Sequence, residues 1–384
     1  MENRKGQFTL EITTTALCNL GCTYCFEGVK TDKRRLDNEL ELIKQRVQEV
    51  LDADWFNEKY ESMNISFWGG EPTLNGKMII DVCNHFRDNP KIDYHIYTNG
   101  YNRKRLEDVL DAIDCSKMHI QISYDGKDIN DKFRLTHSGK PTSAQVVENI
   151  EYFARKGVSV SIKSTIPLKS MTGLYDTWKD FYQLNEKMKD IGNSITVQYA
   201  PTIDYYADIP AGDMPKMIAD FRSEMLLIAR EEIKFFKENH RHLCSWFGAG
   251  DSKIHCASGA NMQVIDVDGS TYACHGSIYS PNKDLMKSSN ISMDTFAEDV
   301  GKMSKAYSEP ISTMSDICTG CVATTCMICP VSSLDHSTKE DYFDRWTDRW
   351  VNNMCGFYKA FGEIDRTVQA YLENEIQVAG TQGA

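Results

Sequence analysis

Between residues 8 and 240, short β-branched or aromatic runs alternate with longer amphipathic runs, a rhythm that predicts six strand–helix units. The strands fall at 8–15, 63–68, 93–98, 118–124, 158–166 and 195–200. Helical patterning occupies 36–51, 78–87 and 143–156, and the last of these has Pro141-Thr142 before it and Gly157 after it, a start and a stop. Repeated units of this kind build a parallel sheet, so the fold class is α/β. Composition changes after Pro210. A long helical stretch, 214–239, leads to Cys244, and beyond it the chain is loop-rich with cysteines at short intervals. A domain boundary is therefore expected near 240, giving a barrel over 1–240, a cysteine-rich domain over 241–360, and a helix and tail over 361–384. Residues 264–272 read as a hairpin turning at Asp268-Gly269, and the last amphipathic helix runs through Tyr371.

Chemistry-bearing residues gather where the expected strands end, the face at which an α/β barrel forms its active site. Three cysteines, in the run Cys18-Asn19-Leu20-Gly21-Cys22-Thr23-Tyr24-Cys25, follow the first strand. Gly69-Gly70-Glu71-Pro72 follow the second, Thr98-Asn99-Gly100 the third, and Ser123-Tyr124-Asp125-Gly126 close the fourth. Taken singly, each glycine-rich exit is an ordinary turn.

Net charge is −12 with no basic block, which argues against a phosphate-backbone footprint and a nucleic-acid partner. Hydrophobic content of 41% and charged content of 26% are ordinary for a globular chain that buries a full core. No apolar run is long enough for a signal peptide or a membrane span, so a cytoplasmic protein without membrane attachment is expected. Thirteen cysteines is an odd, clustered set. In a reducing compartment that argues for metal or cluster ligation over a disulfide framework. Cys83 and Cys115 stand apart and read as core or near-core thiols.

The three-cysteine loop supplies only three of the four thiolates a cubane iron–sulfur cluster normally takes, which would leave one iron to bind something else. A zinc knob or a redox pair is the plainer reading, but a closed zinc site wants four ligands and the nearest histidines, His85 and His95, belong to other elements. Three residues separate the first two cysteines and two the second pair, with aromatic Tyr24 before the last. This loop resembles the signature of the radical S-adenosylmethionine (SAM) enzymes, in which the methionine part of SAM chelates the free iron. The resemblance implies a partial (β/α)6 TIM-type barrel. It also implies that Gly69, Gly70 and Glu71 bind the SAM amino group, that Ser123 and Arg134 lie near ribose and carboxylate, and that the backbone near Tyr24 with Ser164 and Thr165 flanks adenine.

A second cysteine field follows. Cys256 and Cys274 flank the expected hairpin, then come Cys318, Cys321, Cys326 and Cys329, with two, four and two residues between them, and finally Cys355. Zinc ribbons share the paired two-residue spacing. The ordered set also resembles the SPASM domain, the auxiliary-cluster module of many peptide-modifying radical SAM enzymes, although both middle intervals are one residue shorter than in its commonest version. By that resemblance Cys318, Cys321, Cys326 and Cys355 hold one 4Fe–4S cluster, and Cys256, Cys274 and Cys329 hold another, with Cys244 as fourth ligand or an open iron in its stead. Three 4Fe–4S clusters and SAM are the implied cofactors.

The implied chemistry is one-electron cleavage of SAM to methionine and a 5′-deoxyadenosyl radical that takes a hydrogen atom from substrate. SPASM relatives divide into anaerobic sulfatase maturases that form formylglycine from Cys or Ser and enzymes that cross-link, cyclise or otherwise oxidise ribosomal peptides. With the barrel beginning by residue 8, no leader-binding module is expected in front of it, a layout that resembles the maturases. They place a catalytic aspartate after the cysteine matching Cys274, however, and here that residue is His275. Histidine takes a proton near neutral pH; equally it donates to a cluster sulfur. The expectation is an oxidative peptide or protein maturase, with formylglycine formation as the alternative and a non-catalytic metal-binding scaffold as the reading from another class. Its expected partners are a peptide or protein substrate, an external electron donor such as flavodoxin or ferredoxin, and, for any leader recognition, a separate protein.

Overall fold

The structure is a computed structural model describing residues 6–25, 34–36, 39–158, 160–191, 197, 199, 201–203, 212–249, 252–255, 258–317, 321–328 and 354–382. Six parallel strands lie side by side in chain order: β1 (Gly6–Thr15), β2 (Tyr60–Gly69), β3 (Ile92–Thr98), β4 (Met118–Ser123), β5 (Val160–Ile166) and β6 (Pro201–Ile203). The helices that follow them are α1 (Leu40–Asp52), α2 (Asp54–Lys59), α3 (Gly76–His85), α4 (Arg103–Asp111), α5 (Lys127–Phe133), α6 (Ser143–Arg155), α7 (Leu174–Ile191) and α8 (Met214–Asn239). This is the α/β, parallel-rich sheet that the strand–helix rhythm predicts.

Of the sixth expected strand, 195–200, only Val197 and Tyr199 are described residues. The described strand is Pro201–Ile203, paired with Ser164–Ile166, just beyond the predicted 195–200. A proline is tolerated there because β6 ends the described sheet and Pro201 is its first residue. Tyr199 instead forms a parallel bridge with Cys244.

Strict alternation sorts each strand into two faces. Phe8, Leu10 and Ile12 of β1, Ile65 and Phe67 of β2, and Ile120 and Ile122 of β4 are fully buried in one apolar core with Val47 and Val50 of α1 and Ile79 and Val82 of α3. Their neighbours in sequence point the other way, into the concave side of the sheet. Parallel strands usually read as continuous apolar runs, so the polar residues on this inner face are surplus to the needs of the core.

Chain beyond the boundary expected near 240 continues the same sheet. After β7 (Ser252–His255), β8 (Met262–Ile265) pairs in parallel with β1 from Thr9↔Met262 to Ile12↔Ile265. Then β9 (Ser270–Tyr272) and β10 (Lys287–Asn290) extend it antiparallel, which makes nine strands in this sheet among the described residues. The β8–β9 hairpin turns where the sequence places it, with Gly269 at φ +78°. Helix α9 (Phe296–Ile317) covers this edge, and β11 (Thr325–Ile328) pairs with β7. The final helix, α10 (Cys355–Gln382), runs past the expected Tyr371. Among the described residues no helix is long and apolar enough to cross a membrane.

Candidate active site

The loop leaving β1 carries Cys18, buried, and Cys22 and Cys25, each half-buried. Backbone pairing holds it in place. Gly21 and Thr23 donate N–H bonds to Leu135 and Phe133 carbonyls at 2.8 and 2.9 Å, and His137 Nε2 lies 2.9 Å from the Cys18 carbonyl. The Leu20 N–H donates to Cys18 Sγ at 3.5 Å.

Gly69 and Gly70 pack this loop against the end of β2. A Cβ on Gly69, whose φ is +148°, would stand 2.3 Å from the Thr15 carbonyl oxygen, and one on Gly70 would stand 2.5 Å from that of Leu17. The Gly70 and Glu71 N–H groups donate to the same two carbonyls at 3.0 and 2.9 Å. The glycines therefore allow two strand-end backbones to touch.

Glu71, 1% exposed, ties together three loops. Its Oε1 accepts from the Thr73 hydroxyl at 2.6 Å, the Thr73 N–H at 3.2 Å and the Thr98 hydroxyl at 2.8 Å, while Oε2 accepts from the Asn99 N–H at 2.8 Å. Burial raises its pKa, and the hydrogen bonds from Thr73, Asn99 and Thr98 oppose that. Oε1 is saturated; Oε2 keeps room for one further donor. Asn99 in turn reaches Asn19 at 2.8 Å and Cys18 Sγ at 3.8 Å, joining this carboxylate to the cysteine loop.

Asp125 is a site residue that the sequence reading passed over. It is fully buried, and its carboxylate accepts from Arg134 Nε at 2.7 Å, from the Thr165 N–H at 2.8 Å and from the Tyr24 hydroxyl. The Arg134 guanidinium stands 5.4 Å from the Tyr24 ring centre. Burial opposes the guanidinium charge, but Asp125, Tyr24 and Cys22 around it outweigh that and push its pKa up. Burial likewise pushes the Tyr24 hydroxyl well above its usual value. Tyr24, Arg134 and the β5 backbone at Thr165 thus meet on one carboxylate beside the cysteine loop. Ser123 stands in register with Lys163 at the end of β4. An Asp-Gly pair at a strand exit signals a turn, so the sequence alone gave Asp125 no further role.

His275 enters the concave side from the later strands. Its Nδ1 lies 2.7 Å from Oε2 of Glu11, which is 1% exposed, and its ring stacks on Trp68 at 4.0 Å and 16°. Cys274, beside it, is buried. Cys321, Cys326 and Cys355 are half-buried and packed against the main core, and the tight contact of Gly362 with Val322 seats α10 on the segment that holds the first two. Cys244 is fully buried; its N–H and that of Leu243 donate to Glu232, and the rings of Trp246 and Phe247 pack on Phe361 of α10. Cys256, Cys318 and Cys329 lie outside the described residues.

Among the described residues no three His, Cys, Asp or Glu side chains converge on a single ion position. A cubane takes each thiolate on a different iron, so spaced thiols such as those of Cys18, Cys22 and Cys25 on one tethered loop fit it better than they fit a single ion. A bound cofactor of this kind supplies one-electron chemistry.

Residues 12–188 match the Radical SAM superfamily. That match covers a little under half of the chain, and a radical SAM domain is what this part of it is similar to. A cysteine-type anaerobic sulfatase-maturating enzyme of Clostridium novyi is 26% identical over 277 residues, covering 67% of this chain and 70% of that protein. The radical SAM cyclopropyl synthase TigE of Paramaledivibacter caminithermalis is 23% identical over 284 residues, 70% of this chain and 57% of that one. A protein of Methanocaldococcus jannaschii is 29% identical over 171 residues, 43% of this chain, and the match spans only 55% of its length. Among solved structures, native anSMEcpe with bound AdoMet and Cp18Cys peptide superposes with a TM-score of 0.65 at 21% identity, covering 95% of this chain and 99% of that one. That likeness shows the fold alone.

Proposed function

We propose that this protein is a radical SAM maturase that abstracts a hydrogen atom from a side chain of a ribosomally made peptide or protein and leaves that side chain oxidised, as a cross-link, a ring or a related modification. The observation that carries the reading is the three-cysteine loop, packed on Gly69 and Gly70 and bordered by the Asp125 carboxylate with Tyr24 and Arg134. Cys18, Cys22 and Cys25 would hold the SAM cluster. Gly69, Gly70, Glu71, Ser123 and Arg134 would face SAM, and the free side of Glu71 Oε2 suits an ammonium donor. Relatives named as a sulfatase-maturating enzyme and a cyclopropyl synthase support a peptide or protein substrate.

The region 241–360 is proposed as a SPASM auxiliary-cluster domain. Cys318, Cys321, Cys326 and Cys355 would bind one 4Fe–4S cluster, and Cys244, Cys256, Cys274 and Cys329 the other, serving as electron acceptors beside the radical site. An external flavodoxin or ferredoxin would supply the first electron. Formylglycine formation is the second reading, favoured by the share of the C. novyi maturase that the chain covers. The histidine at 275, held by Glu11 and Trp68, favours a different oxidation.

Anaerobic reconstitution tests this. Three cubanes predict about 12 irons per chain and reductive release of 5′-deoxyadenosine from SAM. Zinc in place of iron, without SAM cleavage, overturns the reading.

A further inference from the structure

The inner face of the sheet holds a cation that nothing described above uses. In β5, Ile162, Ser164 and Ile166 are buried on the outer, core-facing side. Ser161, Lys163 and Thr165 therefore alternate onto the inner side. One contact marks that side, His119 of β4 meeting the Ser161 hydroxyl at 2.8 Å, and at the strand end the Thr165 N–H donates to Asp125. Lys163 stands between them, in register with Ser123 and two residues before the backbone that holds Asp125. Among the described residues no acceptor or carboxylate reaches its ammonium. Burial alone draws its pKa down, and no neighbouring charge opposes that. Asp125 is taken by Arg134, and Glu11 by His275.

A second polar atom on the same face is unmet. His95 Nε2 is buried without a partner, while the ring stacks on Tyr97 at 4.2 Å and stands edge-on to His119 at 4.7 Å. An ammonium desolvated without a counter-charge is among the costliest groups a fold can carry. A protein retains one where a ligand completes it.

We propose that Lys163 sets substrate specificity by receiving a carboxylate of the peptide, an Asp or Glu side chain or a C-terminus, that enters the concave side from the strand ends. This rests on the reading of the chain as a peptide maturase. An acidic residue next to the modified one would be anchored below the cysteine loop, at the level of Ser123.

The test uses reconstituted holoenzyme with SAM and two fluorescein-labelled hexapeptide libraries identical except for Glu or Gln at one fixed position, read by anisotropy. Wild type is expected to bind the Glu library about tenfold tighter, the scale of one charge-assisted contact. Lys163→Met is expected to erase the ratio, Lys163→Arg to keep it, and both to leave the SAM dissociation constant within about twofold of wild type. The melting temperature of Lys163→Met should equal or exceed that of wild type, because the variant loses a half-buried charge that has no counter-charge. Equal binding of both libraries by wild type overturns the proposal, as does a preference that survives in Lys163→Met. A loss of SAM affinity in that variant overturns it too, by assigning the cation to the cofactor's carboxylate, and a fall in its melting temperature does so by revealing an internal partner. Failure of wild type to release deoxyadenosine would instead remove the maturase reading and leave the binding ratio to be judged separately.

Discussion

The two faces of one sheet obey different rules. On the outer face most strand positions are aliphatic or aromatic residues locked against the helices, as with Phe67 beside Tyr94 at 6.4 Å. On the inner face the same strands carry Glu11, Trp68, His95, Tyr97, Lys163 and Thr165, in contacts that are polar, stacked or unmet. The outer face supplies stability through area removed from water. The inner face costs stability and is retained for what it can bind, as expected where function and fold compete for the same residues.

Replacing Cys18, Cys22 and Cys25 together by alanine should give the largest effect: complete loss of deoxyadenosine formation, about four fewer irons per chain, and a melting temperature of the metal-free protein within a few degrees of wild type. A collapse of the fold would mean that the loop is structural and erase the distinction between faces. Next in size, Phe67→Ala on the outer face should cost about 3–5 kcal/mol in urea unfolding while leaving SAM affinity intact. Asp125→Ala should lose a comparable amount by leaving the Arg134 guanidinium buried and unpaired. Unlike Phe67→Ala, it should also weaken SAM binding.

A smaller effect depends on pH. Burial, with His119 beside it, lowers the pKa of His95 from 6.5 to about 3. The folded state thus keeps this ring neutral where the unfolded chain protonates it, so its contribution is intact above pH 6.5 and is lost as pH falls towards 3. Between pH 6.5 and 5 the loss is about 2 kcal/mol. Urea midpoints at the two pH values should converge by that amount in His95→Phe, and an unchanged pH dependence would remove His95 from the unmet groups of the inner face. Smallest of all, Gln121→Ala, on the inner face in register with Tyr97 and Ser161, should shift stability by less than about 1 kcal/mol.

Alternation made the outer face legible in sequence, because apolar positions at period two are what a core demands. Five of the strands lie where the pattern puts them, and the cysteine loop and the Gly69-Gly70-Glu71 turn stand together at their ends. Residues whose work is set by distant partners were not legible. Asp125 reads as a turn until Arg134, Tyr24 and Thr165 converge on it, and Glu11 is one polar residue in a strand until His275 arrives from 264 positions away. Periodicity names the face a side chain takes, and register, which long-range pairing decides, names its neighbour.

The pairing of β8 with β1 has a consequence for synthesis. During synthesis β1 cannot complete its hydrogen bonds on one edge until residues 262–265 have emerged. At about 5–20 residues per second, that edge waits some tens of seconds. Throughout that interval the cysteine loop sits at the end of a strand with one open side. A late closure over such a long sequence separation also makes this seam a slow, high-contact-order step in folding.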